Sequence, residues 1–201
     1  MNRVVLATRN PGKIEELRRI LSEADGKIDL IGLDEYPEIG DIPETGLTFA
    51  ENALIKARAV AEATGLPAVA DDSGLCVDAL NGMPGVLSAR WSGRHGDDDA
   101  NLDLLLAQIS DVPDAHRGAH FTCAAALVLP TGEEQVVEGV LEGEIIRARR
   151  GTGGFGYDPI FLPTGETRTT AEMPPADKDA TSHRGRAFRA LTPHIHTLLA
   201  S

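Results

Sequence analysis

The sequence LPAVADDSG, residues 66–74, joins a short apolar run to two adjacent acids, a serine and a glycine. The run at residues 68–70 is typical of a buried strand. If the strand ends at Asp71, Asp72 and Ser73, it delivers carboxylates to a sheet edge, where open α/β sheets bind their ligands. Because adjacent side chains of an extended chain point to opposite faces, Asp71 and Asp72 are predicted to have different functions. Asp, Ser and Gly are also turn residues, so a plain turn is the alternative interpretation.

The composition is typical of an acidic globular protein. The chain has 201 residues and a formal net charge of −12, with 42% hydrophobic and 25% charged residues. We therefore expect a single domain over residues 1–201. The negative charge argues against sequence-independent binding to nucleic acid or to anionic membranes. No signal segment and no apolar run of about 20 residues is present, so we expect a cytoplasmic protein that does not enter a membrane.

The two cysteines, Cys76 and Cys123, are far apart and lack the spacing of metal ligands. They are predicted to be buried thiols of a protein from a reducing cytosol.

A loop between the first predicted strand, residues 3–7, and a helix is a candidate anion site. Asn10 suits the N-cap of that helix and Pro11 its first position. Free backbone N–H groups at a helix N-terminus attract anions, and Lys13 adds a positive charge. The loop is not a P-loop, because Lys13 is followed by Ile14 and the leading glycine is absent. An ordinary strand–helix connection is the alternative.

A second helix is predicted from the capping box of Thr48 and Glu51 and ends at Gly65. Asn52 and Lys56 share one face of it, so Lys56 either points at the site of Asp72 or is a surface lysine. Glu44 lies in the preceding acidic loop, where a solvated side chain is the simplest interpretation.

The glycine-rich sequence GTGGFGYDP, residues 151–159, formally matches the dinucleotide fingerprint. That fingerprint must lie between a strand and a helix, whereas residues 158–163 look extended. The glycines instead suit a loop that approaches a flat ligand closely. Phe155 can then stack on a base and Asp158 can accept hydrogen bonds, although a glycine-rich turn with one buried aromatic is the alternative.

Further along the chain, residues 97–109 are predicted to be a helix and residues 88–93 a strand end or loop. Residues 119–129 and 134–147 are predicted to form a hairpin. A final helix follows a basic cluster of Lys178, His183 and Arg184. Arg184 could make two parallel hydrogen bonds to a planar acceptor, and His183 is more often structural than catalytic in such a position.

Several of these motifs resemble the inosine/xanthosine triphosphate pyrophosphatase family, over nearly the whole chain. They are LATRNPGK (6–13), ETGLTFAENA (44–53), KA (56–57), ADDSGL (70–75), GTGGFGYDP (151–159) and SHRG (182–185). The resemblance implies an α/β fold with a long mixed central sheet, flanking helices and two lobes around a nucleotide-binding cleft. It also implies a homodimer that uses Mg²⁺ to hydrolyse deaminated purine nucleoside triphosphates to the monophosphate and pyrophosphate.

The resemblance also implies roles for single residues. Glu44 and Asp72 match metal-binding acids, and Asp72 also matches the proton acceptor. A carboxylate bound to a metal is a poor base, so Asp72 is expected to perform mainly one of these functions. The remaining matches are substrate contacts. The first phosphate loop contributes Thr8, Arg9, Asn10, Pro11, Gly12 and Lys13, and the base-binding loop contributes Phe155, Gly156, Tyr157 and Asp158. The other matching residues are Lys56, Ser73, Lys178, His183 and Arg184.

Base selection is attributed to Arg184. A guanidinium has only donors, so it can bind the purine 6-oxygen of inosine and xanthosine but not the 6-amino group of adenosine. Guanine also carries that oxygen, and the sequence does not show how it is excluded. A pyrimidine-directed nucleotide pyrophosphatase and a non-catalytic nucleotide sensor are the other functions considered.

Overall fold

The computed structural model describes residues 2–24 and 28–200. Within these residues the α-helices and strands are, in chain order, β1 (Asn2–Leu6), α1 (Pro11–Ala24), β2 (Ile28–Gly32), α2 (Phe49–Thr64), β3 (Ala68–Val77), α3 (Asp98–Gln108), β4 (Gly118–Val128), β5 (Glu134–Ile145), β6 (Phe161–Pro163), α4 (Pro175–Thr181) and α5 (His183–Ala200). The strands form one sheet in the order β2-β1-β3-β4-β5-β6. It is mixed, because β1 pairs in parallel with β2 and β3 whereas β5 and β6 are antiparallel. The predicted α/β class with a mixed sheet and flanking helices is confirmed.

The chain divides into two compact units. The first comprises the described residues up to Asp72 together with residues 123–139 and 183–200, and the second comprises residues 73–122 and 140–182. The strands β3, β4 and β5 each contribute a segment to both units.

The core of the first unit has two clusters, because successive strand residues point to opposite faces. On one face, Val4, Leu6 and Val69 pack with residues of α1 and α5, among them Leu17, Ile20, Phe188, Leu191 and Ile195. On the other face, Val5, Ala68 and Ala70 pack with residues of α2, namely Ala53, Ala57, Val60 and Ala61. The alanines of α2 let this helix lie close to the sheet, and the alternation of side chains continues to Asp71 and Asp72 on β3.

The second unit has its own core. Leu102 and Leu105 of α3 and Ile109, the residue that follows this helix, pack with Leu75 and other apolar residues of this unit. The rings of Phe121 and Phe161 lie 4.6 Å apart, centroid to centroid, in the tilted arrangement that aromatic pairs favour.

Helix starts predicted from capping residues are confirmed. The Asn10 side chain accepts the Lys13 N–H at 3.2 Å, and α1 begins at Pro11. Thr48 and Glu51 form the capping box of α2, and Gly65 follows the helix with a positive φ of 66°. Both Cys76 and Cys123 are buried free thiols, as predicted, and burial raises the pKa of each.

Three local predictions differ from the structure. The strand β3 does not end at residues 71–73, as expected, but continues to Val77, which also excludes the turn interpretation. Residues 85–90 form a 3₁₀ helix in place of the expected strand end or loop, and the Ser88 hydroxyl donates to the Gly85 carbonyl at 2.6 Å within it. Residues 158–160 form a 3₁₀ turn before β6, because a proline φ suits such a turn. The short helix α4 was not predicted from the sequence.

No helix in the part of the chain that the structure describes is both long enough and apolar enough to cross a membrane.

Candidate active site

The alternation of β3 separates the two adjacent acids. Val69 faces α1 and α5, and so does Asp71; Ala70 faces α2, and so does Asp72. Both acids are buried, with exposed fractions of 3% and 6%. A buried carboxylate is stable only when it is paired or hydrogen-bonded, and each finds its partners on its own helix face. The prediction that the two have different functions is consistent with these different surroundings.

Asp72 belongs to a cluster with two side chains of α2 and one loop acid. The Asn52 amide donates to Asp72 Oδ2 at 3.0 Å. Lys56 Nζ lies 3.7 Å from Asp72 Oδ1 and 2.5 Å from Glu44 Oε1, so one ammonium group contacts both carboxylates. Burial alone would lower the pKa of Lys56, but the carboxylates of Asp72, Asp71 and Glu44 raise it. Lys56 is therefore a partly buried cation paired with carboxylates, and not the surface lysine of the alternative interpretation.

Glu44 is held in place by the segment that follows it. The Gly46 N–H donates to Asn52 Oδ1 at 2.8 Å, so Asn52 binds this loop with its oxygen and Asp72 with its nitrogen. A Cβ atom at Gly46 would lie 2.6 Å from the Glu51 Cβ, closer than two carbon atoms approach. The loop therefore reaches α2 only with glycine at this position, and Glu44 is brought next to Lys56.

The pair Glu44 and Asp72 fits a magnesium ion. In the described residues no three His, Cys, Asp or Glu side chains are grouped as metal ligands. Magnesium needs fewer protein ligands than that, because it is commonly held by one or two carboxylates together with waters and substrate phosphates. Both carboxylates already meet one cation, Lys56. Burial raises the pKa of Asp72, Lys56 lowers it, and Glu44 raises it again; the net shift is upward. A cation near both acids would relieve the electrostatic repulsion between the Glu44 and Asp72 carboxylates.

Asp71 lies in a buried network of charges on the other face of the sheet. Lys13 Nζ lies 3.0 Å from Asp71 Oδ2, and Arg184 Nε donates to the same oxygen at 3.2 Å. Arg184 also donates to Glu16 of α1. Although burial would raise the pKa of Asp71, Lys13 and Arg184 lower it well below its usual range.

This network changes the interpretation of Arg184. Its side chain has an exposed fraction of 2%, and its guanidinium binds two acidic side chains of the protein. The sequence predicts the same guanidinium to bind the purine 6-oxygen. That base contact stays a prediction, and the role that the structure displays is to neutralise Glu16 and Asp71.

The first loop is organised by its own side chains. The Asn10 N–H donates to the Thr8 hydroxyl at 3.2 Å, and Arg9 donates to the Ile39 carbonyl. Pro11 and Gly12 are the first residues of α1. The Lys13 N–H at this end of α1 is donated to the Asn10 side chain, and the anion site at this loop stays a prediction.

His183 begins α5 and is buried, with an exposed fraction of 6%. A Cβ atom at Gly139 of β5 would lie 2.2 Å from the His183 carbonyl oxygen and 2.5 Å from the Ala187 nitrogen. The absence of a side chain at Gly139 thus lets the first turn of α5 pack directly on the sheet, which sets the position of His183 and of the adjacent Arg184.

Ser73, another residue predicted to contact the substrate, follows Asp72 on β3.

In the second unit, the glycine-rich loop is built around Asp158. Asp158 Oδ2 accepts the Phe155 N–H at 2.9 Å and the Lys178 ammonium at 2.5 Å. Lys178 Nζ also lies 5.1 Å from the centroid of the Phe155 ring, a cation–π distance. Phe155 keeps an exposed fraction of 38%. The ring is therefore held by its backbone and by Lys178 while part of it stays exposed, which disfavours the alternative of a buried aromatic.

Tyr157 differs from Phe155. Its exposed fraction is 4%, and its hydroxyl donates to the Ser88 carbonyl at 2.9 Å. Tyr157 thus anchors the loop in the core of the second unit.

Two buried polar residues were not selected as site residues from the sequence. The sequence indicates only that Asn52 shares a helix face with Lys56, yet in the structure it binds both Asp72 and the loop of Glu44. Glu16 lies one helical turn after Lys13 on α1 and four residues before the buried Ile20. An acid on the apolar face of a predicted helix is the signal that could have revealed it.

The chain is similar to proteins of known family over almost its entire length. Residues 4–194 match the sequence model of the Ham1 family. A protein of Streptomyces coelicolor named dITP/XTP pyrophosphatase is 68% identical over 99% of this chain and 100% of its own length. The crystal structure of a nucleoside-triphosphatase / dITP/XTP pyrophosphatase from Mycobacterium abscessus is 60% identical, with a TM-score of 0.78, and covers 95% of this chain and 99% of that one.

A second structural neighbour is a HAM1 protein from Coxiella burnetii. It is 43% identical and has a TM-score of 0.88, covering 98% of this chain and 100% of its own. Identity at this level over whole chains indicates a common family as well as a common fold. The family predicted from the motifs is thereby confirmed, and the chain belongs to the Ham1 family.

Proposed function

We propose that this protein hydrolyses deaminated purine nucleoside triphosphates, namely ITP, dITP and XTP, to the nucleoside monophosphate and pyrophosphate. The observation that carries the proposal is the cluster of Glu44, Lys56 and the buried Asp72, in which two carboxylates and an ammonium group meet. This combination suits a metal-bound triphosphate. The names of the similar proteins support the same substrate class.

In the proposed reaction, water is added across the α–β phosphoanhydride bond. Asp72 orients the attacking water or accepts its proton. The hydrogen bond from the Asn52 amide keeps the Asp72 carboxylate in one orientation. Glu44 and Asp72 would hold Mg²⁺, which when bound offsets the negative charge of the triphosphate. Lys56 contributes a positive charge at the same point, and Lys13 does so at the start of α1.

The other substrate contacts are proposed as the resemblance implies. Thr8, Arg9, Asn10, Pro11 and Gly12 present the N-terminus of α1 to the phosphates, and Ser73 contacts the substrate beside Asp72. We propose that the exposed ring of Phe155 stacks on the base, with Gly156, Tyr157, Asp158 and Lys178 forming the loop around it. His183 and Arg184 complete the proposed set of substrate-binding residues.

A product assay tests the proposal. The protein is incubated with ITP, XTP, ATP, GTP or UTP in Mg²⁺, and pyrophosphate and monophosphate are measured, with EDTA as the metal-free control. We expect rapid release of pyrophosphate from ITP and XTP, and loss of release in EDTA. Preference for UTP would instead identify a pyrimidine-directed enzyme, and binding of ITP without hydrolysis would identify a nucleotide sensor.

We further propose that the protein is a cytoplasmic homodimer. Two buried free thiols suit a reducing compartment, and the homodimer follows from the family resemblance. Light scattering of the purified protein measures its mass in solution, and a value corresponding to one chain would contradict the dimer.

Lys13→Ala and Lys56→Ala are each expected to weaken binding of ITP by about 10- to 100-fold, the usual range for a lost charged hydrogen bond. Binding of inosine should change little, because both lysines would face phosphate. Affinities are measured by calorimetry in Mg²⁺-free buffer.

Arg58→Ala is the matched control for these two lysines. Arg58 also lies on α2, but it is exposed and pairs with Glu134. Its loss should leave both affinities unchanged. If the lysine variants lost ITP and inosine affinity equally, the two lysines would not be phosphate ligands.

A further inference from the structure

The glycine-rich loop is bound at its centre by the first residue of α3. The Gly156 N–H donates to Asp98 Oδ2 at 2.8 Å. The preceding N–H, that of Phe155, donates to Asp158. Two carboxylates from different parts of the chain therefore hold the peptide groups on either side of Phe155, and together they set the direction in which its ring projects.

The chain just before the glycine-rich loop, at Arg149, is bound by α3 as well. Arg149 donates to Asp103 Oδ1 at 2.7 Å and to the Asp99 carboxylate. The hydrogen bonds to Asp103 and Asp99 raise the pKa of Arg149. The first turns of α3 thus bind the chain at both residue 149 and residue 156.

The helix that provides these contacts is itself well anchored. The Asp97 side chain caps it by accepting the Ala100 N–H at 3.2 Å. Asn101, with an exposed fraction of 2%, accepts the Ser92 N–H at 2.7 Å, and Leu102 and Leu105 are buried. Asp98 therefore acts from a fixed point, and the Gly156 N–H that it binds belongs to a loop residue with a positive φ of 60°.

We propose that Asp98 is a positioning residue. It holds the loop of residues 151–158 in the conformation that orients the Phe155 ring for stacking on the base. The inference rests on the proposed function of this loop. Asp98 acts through the Gly156 peptide and touches no substrate. Its contribution belongs to binding of the base, so it should affect nucleosides and nucleotides but not phosphate chains that lack a base.

The experiment compares Asp98→Ala, which removes the acceptor, with Asp98→Asn, whose amide oxygen can still accept the Gly156 N–H. Asp111→Ala is the control, because that exposed carboxylate bonds only the neighbouring Ser110 hydroxyl in the contacts described. Affinities for IMP and for inorganic triphosphate are measured by calorimetry. Exchange of the Gly156 amide hydrogen is followed by NMR.

For Asp98→Ala we expect about tenfold weaker binding of IMP, the usual effect of one charge-assisted hydrogen bond, with unchanged binding of inorganic triphosphate. Exchange at Gly156 should accelerate. Asp98→Asn should restore most of both properties, and Asp111→Ala should resemble the wild type. Equal losses for IMP and triphosphate, or no loss for either, would overturn the proposal.

The proposed function can fail separately. If the wild-type protein hydrolysed none of ITP, dITP and XTP, that function would be wrong. The affinity of the wild-type protein for IMP would then decide the inference about Asp98. If the wild type did not bind IMP, Asp98 would position no base-binding loop, even if exchange of the Gly156 amide still accelerated in Asp98→Ala.

Discussion

Asp72→Asn is expected to lower the rate of ITP hydrolysis by about 10²- to 10⁴-fold, the range for loss of a positioned acid–base group. The substitution keeps the shape of the side chain, and an amide oxygen can still accept the hydrogen bond from Asn52. The buried position also stays filled, because the substitution exchanges one carboxylate oxygen for a nitrogen. The free energy of unfolding should therefore change little, and the loss should appear in kcat. Steady-state kinetics and urea unfolding measure the two quantities.

Asp29→Asn provides the matched control, since Asp29 on β2 is half-exposed and pairs only with Arg3 in the contacts described. It should retain wild-type activity. Activity of Asp72→Asn within a few-fold of the wild type would show that the assignment of Asp72 is wrong.

A metal-binding measurement separates the two proposed functions of Asp72. Mn²⁺ binding, followed by electron paramagnetic resonance, should weaken in Glu44→Gln. If it weakens equally in Asp72→Asn, Asp72 is mainly a metal ligand. If Asp72→Asn binds Mn²⁺ as well as the wild type but has lost turnover, Asp72 acts mainly on the water.

The largest expected effect on stability is that of Arg184→Ala. The substitution would leave the buried carboxylates of Glu16 and Asp71 without their shared guanidinium. Removing one partner of a buried ion pair typically costs about 3–5 kcal/mol. For a chain of this size, we expect a fall in Tm of about 10 °C. Thermal and urea unfolding of the purified variant measure the effect.

Arg58→Ala tests whether burial is the cause. Arg58 also pairs with a carboxylate, that of Glu134, but at an exposed position, where such pairs contribute about 1 kcal/mol or less. In addition, the double variant Glu16→Ala with Arg184→Ala should lose less stability than the sum of the single variants, because the groups interact. Equal effects of Arg184→Ala and Arg58→Ala would contradict the buried network.

The same Arg184 variant tests base selection. If Arg184 also binds the purine 6-oxygen, the specificity constant for ITP should fall steeply, that for ATP should change little, and their ratio should narrow. An unchanged ratio in a destabilised protein would mean that Arg184 positions Asp71 and Lys13 and that other groups distinguish the bases.

Local sequence patterns were sufficient for the features that depend on near neighbours. The capping box at Thr48, the N-cap at Asn10 and the strand at residues 68–70 follow from interactions within a few residues. The opposite faces of Asp71 and Asp72 follow from the two-residue period of a strand. The motifs along the chain were likewise enough to predict the family, although a resemblance transfers residue roles without showing which contacts produce them.

Only the tertiary structure decided which charged groups meet. Arg184 and Glu16 are 168 residues apart, and Gly156 and Asp98 are 58 apart. No local pattern pairs such residues, because their contact depends on where α5 and α3 pack against strands from other parts of the chain. Burial then changes what each group does. On the surface, water would solvate the Arg184 guanidinium and no carboxylate would be needed, whereas inside the protein it neutralises Glu16 and Asp71, which are also almost fully withdrawn from solvent.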